Sequence, residues 1–231
     1  MQEPMGEVFN LAEIENLLVR EWNWANATRV SAPAGLAISL SPMRDPARTM
    51  LASHRSVTRL HLTREGLGGD LNCSMSALPL ETESVQMIVV RHVFDVLGPH
   101  EELESELMRV LAPGGVLFLF GFNPASSWRL WWWRHALHGM RMPRWNSLAQ
   151  ARRRLAAIDA VQSQHGYLGG SWPSFSAAAD ACVEGQRWHG IWSLVARKGR
   201  TAARPADPHL SRKRVVLAPG LARLSSRRIG M

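Results

Sequence analysis

The sequence has few cysteines and no long apolar run. Cys73 and Cys182 are the only two cysteines in 231 residues, and their spacing gives no disulfide framework. This favours a reducing compartment, and we expect a cytoplasmic protein. No stretch approaches the roughly 20 apolar residues of a membrane span. The first residues, Met1 to Gly6, contain acids rather than the basic and apolar pattern of a signal peptide.

Several motifs that carry well-known chemistry are also missing. The chain has no H-E-x-x-H and no C-x-x-C, so we expect no metal site. It has no G-x-S-x-G, which argues against a hydrolase with a serine nucleophile on a sharp turn. Neither the phosphate-binding G-x-x-x-x-G-K-[ST] nor the dinucleotide-binding G-x-G-x-x-G occurs.

Acidic residues are nearly absent from the C-terminal part. From Arg197 to Met231 there are ten Lys or Arg and a single acid, Asp207, a net charge of about +9, whereas the whole chain carries +8. The high pI therefore belongs to a basic tail, and the rest is close to neutral. One interpretation is a disordered, solvated extension without a binding function. The other is a contact of residues 197–231 with nucleic acid or with an acidic surface.

The most informative stretch runs from Ser84 to Trp128. Val85 to Val90 is a short apolar run rich in β-branched residues, which predicts a buried strand. Glu101 to Leu111 has apolar residues at helical spacing, and Pro113-Gly114-Gly115 ends that helix. Val116 to Phe120 predicts a second buried strand. Two buried strands joined by a helix form a right-handed parallel unit, whose ligand sites lie at the carboxyl ends of its strands.

The ordered motifs of this stretch resemble a known family. A-L-P-L, then S-V-Q-M-I-V-V-R-H-V, then R-V-L-A-P-G-G-V-L resembles the class I S-adenosylmethionine-dependent methyltransferases of the type 11 family. The continuation G-F-N-P-x-S-x-W is similar to one bacterial subgroup of that family. The resemblance implies an α/β fold, Rossmann-like and doubly wound, with a mostly parallel seven-stranded sheet and an antiparallel last pair. It also implies S-adenosylmethionine as cofactor and a methyl acceptor that the sequence does not name.

The resemblance also sets the expected organisation. Residues 1–30 would form an N-terminal helical cap, 31–198 the methyltransferase-like domain, and 199–231 the basic tail. The expected helices are Phe9 to Trp24, capped by Asn10, then Arg44 to Ser53 and Leu148 to Ile158, with a helical turn at Ala177 to Cys182. The expected further strands are Gly35 to Leu40, Val57 to Leu62, one that begins at Asp70, Ala160 to Tyr167 and Ile191 to Arg197.

The cofactor-binding positions of the family carry altered residues here. The glycine-rich loop is replaced by Ser39-Leu40-Ser41-Pro42-Met43, a degenerate loop in which Pro42 lacks a donor. The resemblance assigns Ser39 and Ser41 to the cofactor. It places the ribose acid near Glu65, which is otherwise an ordinary loop glutamate. The remaining predicted cofactor contacts are Ser74, Met75 and His92.

The resemblance places the methyl acceptor beside the fourth and fifth strands. His92 is a predicted acid or base, and its alternative is a histidine that only structures the loop. Asn123 is predicted to act in catalysis and to contact the substrate, and Trp128 to contact the substrate. The run Trp131-Trp132-Trp133 predicts an amphipathic lid. Of Trp128 and these three tryptophans, we expect two to pack on the core; the alternatives for the other two are stacking on a ring and contact with a membrane interface.

Three functions remain open from the sequence. The first is a methyltransferase that uses S-adenosylmethionine. The second is a catalytically degenerate protein of the same fold that acts as a binding or scaffolding module, favoured by the glycine-free loop. The third is nucleic-acid binding driven by the tail.

Overall fold

The computed structural model describes residues 9, 11–28, 34–44, 56–158, 160–170, 172 and 187–199. These residues contain five helices and seven strands. The helices are α1 (Ala12–Thr28), α2 (Val93–Leu97), α3 (Glu101–Val110), α4 (Trp128–Ala136) and α5 (Leu148–Ala157). The strands are β1 (Leu36–Ser41), β2 (Ser56–Leu62), β3 (Leu67–Gly69), β4 (Val85–Arg91), β5 (Leu111–Phe122), β6 (Ala160–Leu168) and β7 (Ile191–Lys198).

The seven described strands form one sheet in the order β3-β2-β1-β4-β5-β7-β6. β1 pairs in parallel with β2 and β4, and β4 pairs in parallel with β5. β7 runs antiparallel to both β5 and β6. Five strands therefore share one direction, and β3 and β7 oppose them. This confirms the predicted α/β, Rossmann-like, mostly parallel seven-stranded sheet with an antiparallel last pair.

Helices cover both faces of the sheet. Side chains alternate between the faces along each strand, so Ile88 and Val90 join one apolar cluster while Met87 and Val89 join the other. α3 and α5 pack on the first face, and α1 and α4 pack on the second. Because β4 and β5 are covered on both sides, they are apolar almost throughout, which is why their sequence predicted buried strands.

The third strand differs from the prediction. We expected it to begin at Asp70, but β3 is Leu67–Gly69 and runs antiparallel to β2 at the sheet edge. The connection is a four-residue turn that closes with a hydrogen bond from the Thr63 N–H to the Gly66 carbonyl, 2.9 Å. A connection this short can join only antiparallel strands. Asp70 follows the strand, and its carboxylate accepts a hydrogen bond from the Arg59 N–H.

The other described elements agree with the sequence. The predicted strands at 35–40, 57–62, 85–90, 116–120, 160–167 and 191–197 and the helices at 9–24, 101–111 and 148–158 are all present, with ends shifted by up to five residues. One detail was wrong: Pro113-Gly114-Gly115 does not end the helix but lies inside β5, because α3 already ends at Val110. Ser147 caps α5, in a reciprocal pair with Gln150. The predicted Asn10 cap, the helix at 44–53, the helical turn at 177–182 and the tail from 200 lie outside the described residues.

Two of the motifs that carried the family resemblance contact each other. The Arg109 guanidinium donates to the carbonyl oxygens of Leu78 and Leu80, at 3.0 and 3.1 Å. Glu106 accepts from the Leu78 N–H and pairs with Arg109. R-V-L at the end of α3 therefore holds A-L-P-L against the helix. Across the described part of the chain, no helix combines the length and apolar character needed to cross a membrane.

Candidate functional site

The carboxyl ends of β1, β2, β4 and β5 meet at one edge of the sheet, where ligands bind in folds of this kind. The predicted site residues lie at two parts of that edge. The cofactor side, as we call it, is formed by the ends of β1 and β2 with the segment 63–75. The acceptor side is formed by the ends of β4 and β5 with α1, α4 and the segment 187–190.

A pocket of about 580 Å³ opens on the cofactor side. Its size is in the range that holds a small organic ligand. It combines a carboxylate, a guanidinium, an amide and backbone polar groups, which suits a ligand with several hydroxyls. Its described lining residues are Thr63, Arg64, Glu65, Gly66, Leu67, Asn72 and Cys73. Of the predicted cofactor residues, Glu65 lies in this wall.

Ser74 and Met75 lie directly beyond the wall residue Cys73. Cys73 and Leu67 form an antiparallel bridge, and Ser74 and Ala77 form another, so this segment is folded back as a small hairpin beside β3. Ser74 is exposed and its hydroxyl lies 3.0 Å from that of Ser76. Met75 packs against the apolar cluster of α3 and α5. Both positions border the pocket without being among its lining residues.

The degenerate loop offers little to a ligand. Ser39 and Ser41 are both buried in β1, and the Ser41 hydroxyl donates to the Met43 carbonyl oxygen at 2.7 Å. Pro42 is buried and has no N–H. Neither serine is among the described residues that line the pocket. Within the described residues, Ser39 and Ser41 are therefore not part of the pocket wall that contains Glu65.

His92 lies at the centre of a buried charged cluster on the acceptor side. Its Nε2 atom is 2.6 Å from Glu21 Oε1 of α1, and its Nδ1 atom is 2.8 Å from Asp95 Oδ2 of α2. All three side chains are buried. The ring stacks on Phe122 with centroids 4.0 Å apart. The backbone of His92 is left-handed, with φ 54°, a strained state that its fixed contacts hold.

The carboxylates make this histidine a cation. Burial by itself lowers the pKa of His92, but the charge of Glu21 and the hydrogen bonds to both carboxylates outweigh it and raise the pKa to about 9. Burial raises the pKa of Asp95 above its ordinary value, against the opposing effect of His92. A protonated His92 donates both ring N–H groups to carboxylates, so neither nitrogen is available to take a proton from an acceptor in this conformation.

Asn123 is fully engaged by backbone groups. Its Nδ2 amide donates to the carbonyl oxygens of Arg187 and His189, both at 2.8 Å, and its Oδ1 accepts from the Ala125 N–H at 3.1 Å. The Asn123 N–H also donates to the Gly190 carbonyl. The residue therefore fastens the segment before β7 to the end of β5. In the sequence we expected it to face a substrate.

Trp128 begins α4 and packs inward. Its indole N–H donates to the Gly170 carbonyl at 3.0 Å, and a side chain at Gly190 would lie 2.4 Å from its Nε1 atom. Only glycine fits at position 190 beneath this ring. Trp131 and Trp132 are also buried, whereas Trp133 is exposed. Three of the four tryptophans thus pack on the core, where the sequence favoured two.

Sequence reasoning missed two members of the acceptor-side cluster. Glu21 was read only as part of a helix, because a buried glutamate on a covering helix has no local signature. Asp95 was missed as well, although its spacing from His92 was an available signal: an acid three positions after a histidine can reach the ring within one turn. Among the described residues, no group of three or more His, Cys, Asp or Glu is placed to hold a metal ion.

The comparisons with known proteins point to one fold. Residues 26–119 match a family model described as a methyltransferase domain. A SAM-dependent methyltransferase from Thermotoga maritima superposes with a TM-score of 0.58 at 13% identity, covering 83% of this chain and 93% of that chain. Geranyl diphosphate C-methyltransferase from Streptomyces coelicolor, solved with Mg²⁺, geranyl diphosphate and S-adenosyl-L-homocysteine, gives 0.55 at 14% identity, covering 81% and 82%. No curated protein sequence matches significantly.

These similarities show the fold of the chain and do not show its activity. The family match covers β1 to most of β5, which includes the pocket wall and His92. At identities this low, the solved structures show that the chain has the methyltransferase fold, and the chemistry has to be argued from its own residues.

Proposed function

We propose that this protein is an S-adenosylmethionine-dependent methyltransferase that binds its cofactor in the pocket between the β2–β3 turn and Cys73. The observation that carries the proposal is the pocket itself. It lies at the carboxyl end of β2 in a methyltransferase fold, and it has one carboxylate, Glu65, in its wall. The match of residues 26–119 to a methyltransferase domain supports the same reading.

The pocket residues fit the adenosine part of this cofactor. The Glu65 carboxylate can accept hydrogen bonds from two adjacent ribose hydroxyls, which is a task for an ionised acid rather than an amide. By the family resemblance, Ser74 and Met75, next to the pocket wall, would contact the edge and the face of the adenine ring. When bound, S-adenosylmethionine supplies an activated methyl group on a sulfonium. The protein then has mainly to hold an acceptor in line with that group.

On the acceptor side we propose positioning roles. His92 binds Glu21 and Asp95 and thereby fixes α1 and α2 at the ends of β4 and β5. Asn123 fixes the segment before Gly190, and Trp128 fixes the backbone at Gly170. Rigid surroundings of this kind orient an acceptor without touching the transferred group. Release of Glu21 would free one ring nitrogen of His92 for acid or base work. The proposal names no methyl acceptor. We propose that the protein is located in the cytoplasm.

The loop after β1 favours a second candidate. The Ser41 hydroxyl donates to the Met43 carbonyl oxygen, and Pro42 has no N–H, so this segment has fewer groups to offer a ligand than a glycine-rich loop. A protein of this fold that has lost the cofactor would act as a binding or scaffolding module. The two candidates make opposite predictions for cofactor binding.

Calorimetric titration with S-adenosylmethionine and S-adenosylhomocysteine separates them. A methyltransferase should bind with micromolar affinity, about −8 kcal/mol. Glu65→Gln keeps the size of the side chain and removes its charge, and it should weaken binding about tenfold. Glu81→Gln, at an exposed loop glutamate, is the matched control and should bind like the parent. If neither ligand produces heat at millimolar concentration while the protein is folded, the cofactor does not bind. The second candidate, a binding or scaffolding module, would then be favoured.

A further inference from the structure

α4 is apolar on both of its faces. The inner face, with Trp128, Trp131 and Trp132, is buried against the core, as expected for a covering helix. The outer face presents Leu130, Trp133 and Leu137 at the end of the helix, which are 57%, 55% and 67% exposed. We call these three residues the outer stripe. A surface helix normally has a polar outer face, and one that is apolar all round is covered by something else.

The outer stripe is a continuous line bordered by arginines. Its members are spaced three and four residues apart, so they align along one side of the helix. At 3.6 residues per turn, Arg129 and Arg134 lie on either side of this line, each about 70° from its centre. Both arginines are exposed. The result is an apolar ridge with one arginine on each side.

The sequence on either side of α4 contains no acid. Between Leu107 and Ile158 the sequence has no Asp or Glu and eight arginines. His138 and Arg141, which follow the helix, are also exposed. A partner that covers the outer stripe must therefore present negative charge around an apolar interior. A bilayer with anionic headgroups has this composition, and Leu, Trp and Arg are the residues that interfacial helices use.

The basic tail supplies a second attraction of the same sign. Residues 199–231, which follow β7, carry eight basic side chains against one acid. Stable attachment to a bilayer without a spanning helix takes two signals, such as a small inserted apolar surface and a polybasic segment. The chain provides both.

We propose that the outer stripe of α4 binds the surface of an anionic lipid bilayer, with the helix lying in the interface and its arginines at the headgroups. The proposal goes beyond methyl transfer and does not depend on it, since it rests on α4 and not on the pocket. It assigns to Trp133 a role that its buried neighbours cannot have. It also gives the tail a use in attracting the protein to the membrane.

Sedimentation with vesicles tests this on the full chain. The parent protein should bind vesicles of phosphatidylcholine with about a third phosphatidylglycerol and bind phosphatidylcholine alone at least tenfold more weakly. Trp133→Gln/Leu137→Gln should lower binding to the anionic vesicles about tenfold or more. Val19→Gln/Trp188→Gln changes two apolar residues that are equally exposed elsewhere, and it should bind like the parent.

A second pair of variants tests the charges. Arg129→Gln/Arg134→Gln should also weaken binding about tenfold, whereas Arg152→Gln/Arg153→Gln, on the helix that packs on the other face of the sheet, should change it little. Circular dichroism confirms that each variant is folded. The proposal is overturned if the parent does not prefer anionic vesicles, or if the outer-stripe variant binds like its control. It is also overturned if only deletion of 200–231 abolishes binding, or if light scattering shows that the stripe instead joins two copies of the chain.

Discussion

The side chains of His92 and Glu21 meet at 2.6 Å although 71 positions separate them in the chain. Glu21 belongs to α1, and His92 lies between β4 and α2. No water-exposed surface remains on either side chain. The contact is therefore a buried ion pair that joins the N-terminal helix to the sheet edge. We expect the stability of that edge to depend on it.

Loss of the Glu21 charge should destabilise the protein. Glu21→Gln keeps the shape but leaves a buried imidazolium with one carboxylate, so we expect unfolding free energy to fall by about 3 kcal/mol. Urea denaturation at neutral pH measures it. Glu15→Gln, at an exposed site on the same helix, is the matched control and should change stability by less than about 0.5 kcal/mol. Equal effects from the two variants would contradict the buried ion pair.

Stability should fall as pH rises from about 6.5 to about 9. The pKa of His92 is raised from 6.5 to about 9 in the folded state, so in this range the folded protein holds a proton that the unfolded chain has released. The stabilisation is complete below pH 6.5 and is lost as pH passes through 9, a change of about 3 kcal/mol. In His92→Gln the slope across this window should disappear, and a slope that survives would refute the assignment.

Gly121→Ala should cost more stability than glycine replacement in an open turn. A Cβ at position 121 would lie 2.3 Å from Cζ2 of Trp192, whose indole N–H is fixed on the Asn146 carbonyl. The ring cannot withdraw, and we expect a loss of about 3 kcal/mol. In Gly139→Ala the new Cβ meets no atom within 4 Å, and the only cost is that of the left-handed backbone. We expect a loss of stability of about 1 kcal/mol. Thermal unfolding compares them; a milder effect at 121 would mean that the core relaxes.

Asn123→Asp should release the segment before β7. The change places an oxygen opposite the carbonyl oxygens of Arg187 and His189 and so replaces two hydrogen bonds by repulsion. We expect a loss of about 3 kcal/mol and faster proteolysis between 187 and 190. Asn72→Asp, at an exposed asparagine, is the control for the added charge. If Asn123→Asp is as stable and resistant as the control, Asn123 is free to meet a substrate.

The sequence was sufficient for most of the fold because the relevant signals are local. β4, α3 and β5 follow from apolar runs and helical spacing that each fit within a dozen residues, and the parallel order follows from the crossover helix. β3 was misplaced because its position depends on a four-residue turn at Thr63 to Gly66 that was taken for part of a longer connection.

The candidate site was less accessible to sequence reasoning. Glu65 was assigned to the cofactor by resemblance to a family pattern. The structure puts it in the wall of a pocket after β2, and its contact with a cofactor stays a prediction. The partners of His92 and Asn123 depend instead on contacts between distant segments, such as Glu21 with His92 and Asn123 with Arg187. Sequence spacing does not predict such pairs, because only tertiary packing brings them together.

Hydrogen–deuterium exchange with and without S-adenosylhomocysteine is the most direct test of a cofactor bound beside Glu65. We predict slower exchange of the amides from Thr63 to Met75 when the ligand is present, and little change around Asn123 to Trp128, which are already fastened. Unchanged exchange from 63 to 75 at millimolar ligand would contradict a cofactor site in this pocket, and with it the proposed methyltransferase activity.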